Sequence, residues 1–388
     1  MKILITTEFY LPLRCGVTTA VLNQRIALER QGHEVRILTI GENKESYYSD
    51  GVYFIRSNSL KLYMDSYTTF SFHDPLVKDI VRWHPDIVHS QTEFFSMVFA
   101  KKIAGSVHAP LIHTCHTDFE AYGVHFMKSQ KAWHLLASNA IRRILRNVNY
   151  IVCPTTKIRD LLASYHVKPP MQVIPVGLDL DRFAQGLPAD ERQAIRDRYG
   201  FSDAECILVS VCRISAEKNV GETVEHFASL HRLRPDTRLL IVGDGTDMDH
   251  VKLVVDELHL HHAVAFTGSI DMPEVWKYYQ VGDIFVSSSL SEIQGLTYIE
   301  ALASGLPIVC HADRSLDDSL IPMKNGYAFT TDEEFLASIL PLVDDTEKRL
   351  TMGLFARESV GKFGLKVFGD SLLTIYSRLR DGHVHFVS

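Results

Sequence analysis

The chain has 388 residues, 46% of them hydrophobic, enough for two or three domains with real cores. Its net charge of −7 is unevenly spread: residues 1–180 carry 20 Lys+Arg against 15 Asp+Glu, and residues 181–388 carry 20 against 32. No apolar run approaches the ~18–20 residues that span a bilayer, and Glu8 interrupts the first apolar run too early for a signal peptide.

A basic half joined to an acidic half suggests a partner or substrate that is anionic on one side. Cys15, Cys115, Cys153, Cys206, Cys212 and Cys310 form no C-x-x-C pair, so buried reduced thiols are expected rather than a disulfide or metal framework. The histidines at 259, 261 and 262 read as a solvated loop. A soluble or peripheral cytoplasmic protein is expected, with no metal and no nucleic-acid partner.

Residues 2–6 read as a strand. The loop through Cys15, Gly16 and Val17 follows, then a helical pattern through Val21, Ile26 and Leu28 that ends at Gly32, then a strand at 34–40. This is the βαβ opening of a doubly wound sheet. One glycine is not a dinucleotide fingerprint, which disfavours dehydrogenases. Gly16 at a helix start either lets an anion or sugar approach the backbone or simply turns the chain.

Strands at 86–89 and 110–114 flank a helix at 93–103. His116 and Asp118 follow the second of them, at the strand end where ligand-binding side chains sit in open α/β sheets. Between 121 and 159 there is no acid, but there are Lys128, Lys131, Arg142, Arg143 and Arg146. Trp133, Leu136, Ala140 and Ile144 recur at helical spacing among them. The pattern suits an amphipathic helix on an anionic membrane, at ~1 kcal/mol per basic residue, or a helix packed on the sheet with a solvated basic face. Strands follow at 150–153 and 171–176, and the polar stretch 184–201 reads as a linker.

The alternation restarts with a strand at 207–211. Arg213 and Lys218 lie between its exit and the next helix, where two cations suit a diphosphate. A strand at 238–242 ends in Gly243-Asp-Gly245, a turn for close backbone approach, and 264–267 leads to Gly268, which suits the lining of a base pocket. Residues 284–286 form a strand, Gly295 ends the following turn, and a helix runs to Gly305-Leu-Pro307 before the next strand at 308–309. Glu292 falls in the turn and Glu300 on the helix. Leu296 and Thr297 offer free N–H groups to a phosphate. Two carboxylates beside an anion site suit hydroxyl recognition, since a carboxylate accepts from a vicinal diol. A helix-capping acid beside a solvated glutamate is the competing reading. A short segment at 327–329 and three helical patterns complete the chain.

Together, Glu292-x7-Glu300, Arg213, Lys218, the Gly16 loop, Gly32-His-Glu-Val, Pro85-Asp-Ile-Val-His89, Ile174-Pro-Val-Gly-Leu-Asp, Val242-Gly-Asp-Gly245 and Phe266-Thr-Gly268 resemble the family-4 retaining glycosyltransferases of the GT-B fold. The resemblance implies an α/β architecture of two Rossmann-like doubly wound domains facing across a cleft. Residues 1–180 would form the acceptor side, 181–367 the nucleotide-sugar domain, and the last helix, 368–388, would cross back. It implies that Arg213 and Lys218 neutralise the leaving diphosphate, helped by the Leu296 and Thr297 amides beyond Gly295. Glu300 would bind the ribose and Glu292 the donor sugar. His116 would hydrogen-bond that sugar near its reacting end. Gly16 and Val17 would lie against the phosphates, and Gly268 beside the base. Catalysis would be front-face displacement with retention, without cofactor or divalent metal, because Arg and Lys supply the positive charge.

Within the family, residues 291–305 and His113-Thr-Cys-His116-Thr-Asp118 resemble the bacterial diacylglycerol glucosyltransferases. That implies UDP-glucose as donor, a membrane lipid such as diacylglycerol as acceptor, and an α-glycolipid made on the inner membrane face. The same chemistry on a polysaccharide or other soluble acceptor is the alternative. A nucleotide-sugar-binding protein without turnover is the reading from another class.

Overall fold

The computed structural model describes residues 1–42, 44–58, 67–126 and 129–382, with no side chain described at 122 or 124–126. The chain divides into two compact units, Met1–Gly177 with Leu365–Ser388, and Leu178–Gly364.

The first unit is built on an eight-stranded sheet: β1 (Lys2–Thr7), β2 (Glu34–Ile40), β3 (Tyr47–Ser49), β4 (Val52–Ile55), β5 (Ile87–Ser90), β6 (Leu111–Thr114), β7 (Tyr150–Cys153) and β8 (Met171–Val173). The order is β3-β4-β2-β1-β5-β6-β7-β8, parallel throughout except for the β3–β4 pair. β1 and β5 are almost wholly buried, as expected of parallel strands covered on both faces. The chain moves from β1 outward to β2, then returns to place β5 on the other side of β1. The sheet therefore has its switch point between β1 and β5, and the loops that leave these strands stand side by side there.

The helix Leu365–Arg380 belongs to this unit. Its Phe368, Leu372, Ile375, Tyr376 and Leu379 join Ile3, Ile5, Val21, Leu28 and Ile87 in one core. A Cβ at Gly369 would lie 3.2 Å from the Ala27 carbonyl on the helix Gly16–Glu29, so the two helices pack closely there.

The second unit holds β9 (Cys206–Val211), β10 (Thr237–Val242), β11 (Val264–Phe266), β12 (Ile284–Ser287), β13 (Ile308–His311) and β14 (Gly326–Phe329), all parallel in the order β11-β10-β9-β12-β13-β14. Its switch point lies between β9 and β12.

Two expectations are corrected. The linker at 184–201 is mostly helical: Leu180–Ala184 and Ala189–Arg198 pack on the second unit, with Phe183, Ile195 and Phe201 in its core. Only Ile195 and Arg196 of the longer helix are buried, so its composition imitates a loop. The buried face of the helix Gln130–Leu145 is Ala137, Ser138, Ile141 and Leu145, not the stripe of Trp133, Leu136, Ala140 and Ile144. The apolar residues Leu135 (62% exposed) and Leu136 (57%) consequently face solvent. Lys131, Arg142, Arg143 and Arg146 are exposed as well, while Lys128 lies outside the described residues.

Candidate active site

In the second unit, the loops after β9 and β12 meet at the switch point. The first contains Arg213 and the single-turn helix Ala216–Lys218. It ends on Asn219 in the left-handed region before the helix Val220–Leu233. The second contains Glu292. Lys218 Nζ lies 2.6 Å from Glu292 Oε1, with the two side chains 19% and 14% exposed. Thr223 Oγ1, on the helix Val220–Leu233, binds Ser288 Oγ at 3.0 Å and also accepts from the Ser288 N–H, tying the helix after the first loop to the second loop. Arg213 sits further out, paired with Glu217 at 2.9 Å in a solvated contact that holds it only weakly.

Gly295 begins the helix Leu296–Ala303 in the left-handed region at φ +63. The Tyr298 and Ile299 amides both turn back to the Gly295 carbonyl, so the Leu296 and Thr297 amides stand ahead of the helix's own bonding, as an anion requires. One turn on, Glu300 Oε2 accepts from the Tyr279 hydroxyl at 2.7 Å. Burial pushes the Glu300 carboxyl up to about 7, against the opposing pulls of that hydrogen bond and of Arg182. Only the carboxylate accepts from both hydroxyls of a diol. Binding of a ligand diol at Glu300 is therefore expected to weaken as pH falls below about 7 and to be flat above it, with proton release on binding near neutrality. Calorimetry in buffers of different ionisation enthalpy measures this, and the slope disappears in Glu300→Gln.

Gly268 follows β11 at φ +69, and its carbonyl accepts from the Gly243 amide at 3.2 Å. The Gly243-Asp-Gly245 turn is filled by the chain itself. A Cβ at Gly243 would lie 1.9 Å from the Cys212 carbonyl oxygen, and one at Gly245 2.0 Å from that of Ile214. These glycines let the turn after β10 press against the loop that carries Arg213.

In the first unit, Gly16 and Val17 open the helix Gly16–Glu29, and no atom lies within 4 Å of a Cβ built on Gly16. His116 follows β6, its Nε2 2.8 Å from Gln91 Oε1. Burial pushes its pKa down to about 4, with Glu93 pulling the other way. Asp118 is absorbed structurally: it accepts from the Glu120 and Ala121 amides and pairs with Lys157 at 3.1 Å.

Several polar residues around this switch point carried no signal in the sequence. Glu8, 4% exposed at the end of β1, accepts from the Ser96 amide and from the Thr92 and Ser96 hydroxyls. Burial pushes its carboxyl up to about 7 from 4.5. A raised acid stabilises the fold fully below its unfolded pKa and loses that contribution as pH climbs through the folded value. Glu8→Gln is expected to remove ~3 kcal/mol of the stability lost between pH 5 and 8, read as urea midpoints at those two values. Glu93, His113 and Cys115 also converge, the only such group of possible metal ligands among the described residues. The Glu93 oxygens are already engaged by His113 Nε2 at 3.2 Å and Thr117 Oγ1 at 3.1 Å.

A family profile described as glycosyltransferase family 4 matches residues 15–182, and one described as glycosyl transferases group 1 matches residues 191–359. The alpha-monoglucosyldiacylglycerol synthase of Streptococcus pneumoniae is 30% identical over 383 residues, 96% of this chain and 87% of that protein. The synthase of the same name from Acholeplasma laidlawii is 30% identical over 393 residues, 98% of each. The chain belongs to glycosyltransferase family 4.

Solved structures place this glycosyltransferase in the GT-B fold. HepE of Anabaena, in complex with UDP and glucose, matches with a TM-score of 0.77 at 17% identity, over 98% of this chain and 100% of that one. Sucrose-phosphate synthase of Thermosynechococcus elongatus matches at 0.77 and 19%, over 98% and 99%. The Glu292-x7-Glu300 spacing of the glycosyltransferase separates two environments. Glu292 is ion-paired in a loop, whereas Glu300 is half-buried on a helix and held there by a tyrosine.

Proposed function

We propose that this glycosyltransferase moves glucose from UDP-glucose to diacylglycerol in an anionic membrane, with retention, forming an α-glycolipid. The observation that carries the reading is the 30% identity, over nearly the full length, to two alpha-monoglucosyldiacylglycerol synthases. The geometry supports the donor side. The Lys218–Glu292 pair and the Leu296 and Thr297 amides gather cationic and dipolar groups at one switch point, suited to a diphosphate that leaves with growing negative charge. In this reading the diphosphate takes over Lys218, and Glu292, released from Lys218, accepts from the sugar hydroxyls. Arg213 turns inward from Glu217. Glu300 binds the ribose and Gly268 borders the base. His116 hydrogen-bonds the donor sugar, and Gly16 and Val17 approach the phosphates. The leaving phosphate accepts the acceptor's proton, so no enzyme nucleophile is needed. Arg213 and Lys218 do the work that a divalent metal does elsewhere, and no metal is required.

The lipid surface is met by the exposed basic helix Gln130–Leu145. Arg142, Arg143 and Arg146 surround a depression of about 540 Å³ beside the solvent-facing Leu135 and Leu136, a pairing of charge and apolar surface suited to peripheral attachment at the inner membrane face. No helix among the described residues is long and apolar enough to cross a membrane.

The test is transfer from UDP-glucose to dioleoylglycerol in phosphatidylglycerol vesicles, in EDTA, with the product linkage read by NMR. An α-glucosyl lipid, with vesicle binding that weakens as salt rises, is the expected result. Transfer to soluble glycans alone, or a requirement for metal, overturns the reading.

A further inference from the structure

Behind His116 the first unit is polar to an unusual depth. His89, Gln91 and Gln24 are all at most 1% exposed, and their polar atoms join one chain of contacts with His116, Tyr376 and Thr114. His116 Nε2 meets Gln91 Oε1 at 2.8 Å. Gln91 Nε2 donates to Gln24 Oε1 at 2.9 Å. Gln24 Nε2 donates to the Tyr376 hydroxyl at 2.9 Å and contacts His89 Nδ1 at 2.8 Å. The Tyr376 hydroxyl lies 2.5 Å from the same His89 nitrogen, and His89 Nε2 reaches Thr114 Oγ1 at 2.7 Å. Burial holds His89 well below the usual histidine pKa, so its ring is neutral and offers one acceptor nitrogen.

This chain has a direction. An amide has one donor end and one acceptor end, so fixing either amide fixes both. With the Gln24 NH2 on Tyr376 and His89, its carbonyl receives the Gln91 NH2, and the Gln91 carbonyl is left to accept from His116. His116 Nδ1 makes no hydrogen bond among the described residues.

We propose that Gln91, Gln24 and Tyr376 are positioning residues that hold His116 as the Nε2–H tautomer, leaving Nδ1 as an acceptor for a substrate hydroxyl. The last link is supplied by the helix Leu365–Arg380, so an element remote in sequence sets the hydrogen-bonding sense of the site. An imidazole locked this way accepts from a sugar O–H and does not donate to a ring or phosphate oxygen. The inference rests on the reading of His116 as a donor-sugar contact, but its first measurement needs no substrate.

That measurement is the pair of 15N ring shifts of His116 in the full-length, histidine-labelled protein, assigned by the signals lost in His116→Asn. The expected result is a protonated Nε2 and an unprotonated Nδ1. The Nδ1–H tautomer overturns the relay whether or not the chain transfers glucose. Gln91→Leu removes the acceptor and is expected to mix the tautomers. It should lower kcat about tenfold, the scale on which supporting hydrogen bonds act on the group they orient, with little change in KM for UDP-glucose. Gln91→Glu keeps an acceptor oxygen facing Nε2 and is expected to restore both tautomer and most of kcat. Equal losses in the Leu and Glu variants, or an unchanged kcat in Gln91→Leu, overturn the assignment.

Discussion

Lys218→Ala is expected to lower transfer by about a thousandfold, the scale of removing one preorganised charge from a site where negative charge develops. The ammonium is 2.6 Å from Glu292 and the pair is largely shielded from water. Its loss acts twice. On the proposed reading the diphosphate loses a counter-charge, and Glu292 loses its ion pair with Lys218 beside the buried Cys310 and Tyr298, whose ionisation it already opposes. Removing one member of such a shielded pair is expected to destabilise by about 3 kcal/mol. A paired variant separates the two effects. Lys218→Met with Glu292→Gln removes both charges, so the urea midpoint should recover while transfer stays at the level of the single variant. Recovery of transfer in the double variant would show that the pair is structural only.

Gly243→Ala is expected to be the most damaging single-methyl addition in the second unit. The new Cβ falls 1.9 Å from the Cys212 carbonyl oxygen, a backbone atom that cannot swing aside, and φ is +136. A loss of ~3 kcal/mol or more is expected from clash and backbone strain together. Relieving the strain is expected to displace residues 212–219, so affinity for the proposed nucleotide-sugar donor should fall alongside the thermal midpoint. Gly268→Ala is the control. It also has positive φ, at +69, but open space around its Cβ, so ~1 kcal/mol is expected with the 212–219 loop unmoved. Equal losses at the two glycines would remove the loop-packing explanation.

The strands were legible because parallel strands covered on both faces read as unbroken apolar runs, and β1, β9, β10 and β12 all do. The placement of Glu292 in a turn, Gly295 at a helix start and Glu300 on that helix was legible because they lie within one strand–turn–helix unit, where spacing translates directly into geometry. The polar chain behind His116 was not. Gln24 and Tyr376 are 352 residues apart, and no local pattern announces that they meet. The Glu93, His113 and Cys115 group was missed for the same reason, since its members come from two strand ends. The helix Gln130–Leu145 failed differently: its period was clear, but it packs against the helix Phe119–Phe126, which no local pattern reveals, so the stripe came out one residue early. Charge behaved better. By the observed units, Met1–Gly177 with Leu365–Ser388 carries 23 Lys+Arg against 16 Asp+Glu, and Leu178–Gly364 carries 17 against 31.

The return of the helix Leu365–Arg380 to the first unit also orders events on the ribosome. The second unit is one continuous stretch and can close as soon as it has emerged. The sheet of the first unit is translated earlier, yet it waits for Phe368, Leu372, Ile375 and Tyr376 to cover its core. At roughly 5–20 residues per second, some two hundred residues of synthesis keep that core uncovered for about 10–40 s after β8. The half made first is therefore finished last, and during that interval a nascent-chain chaperone has an apolar sheet face to hold.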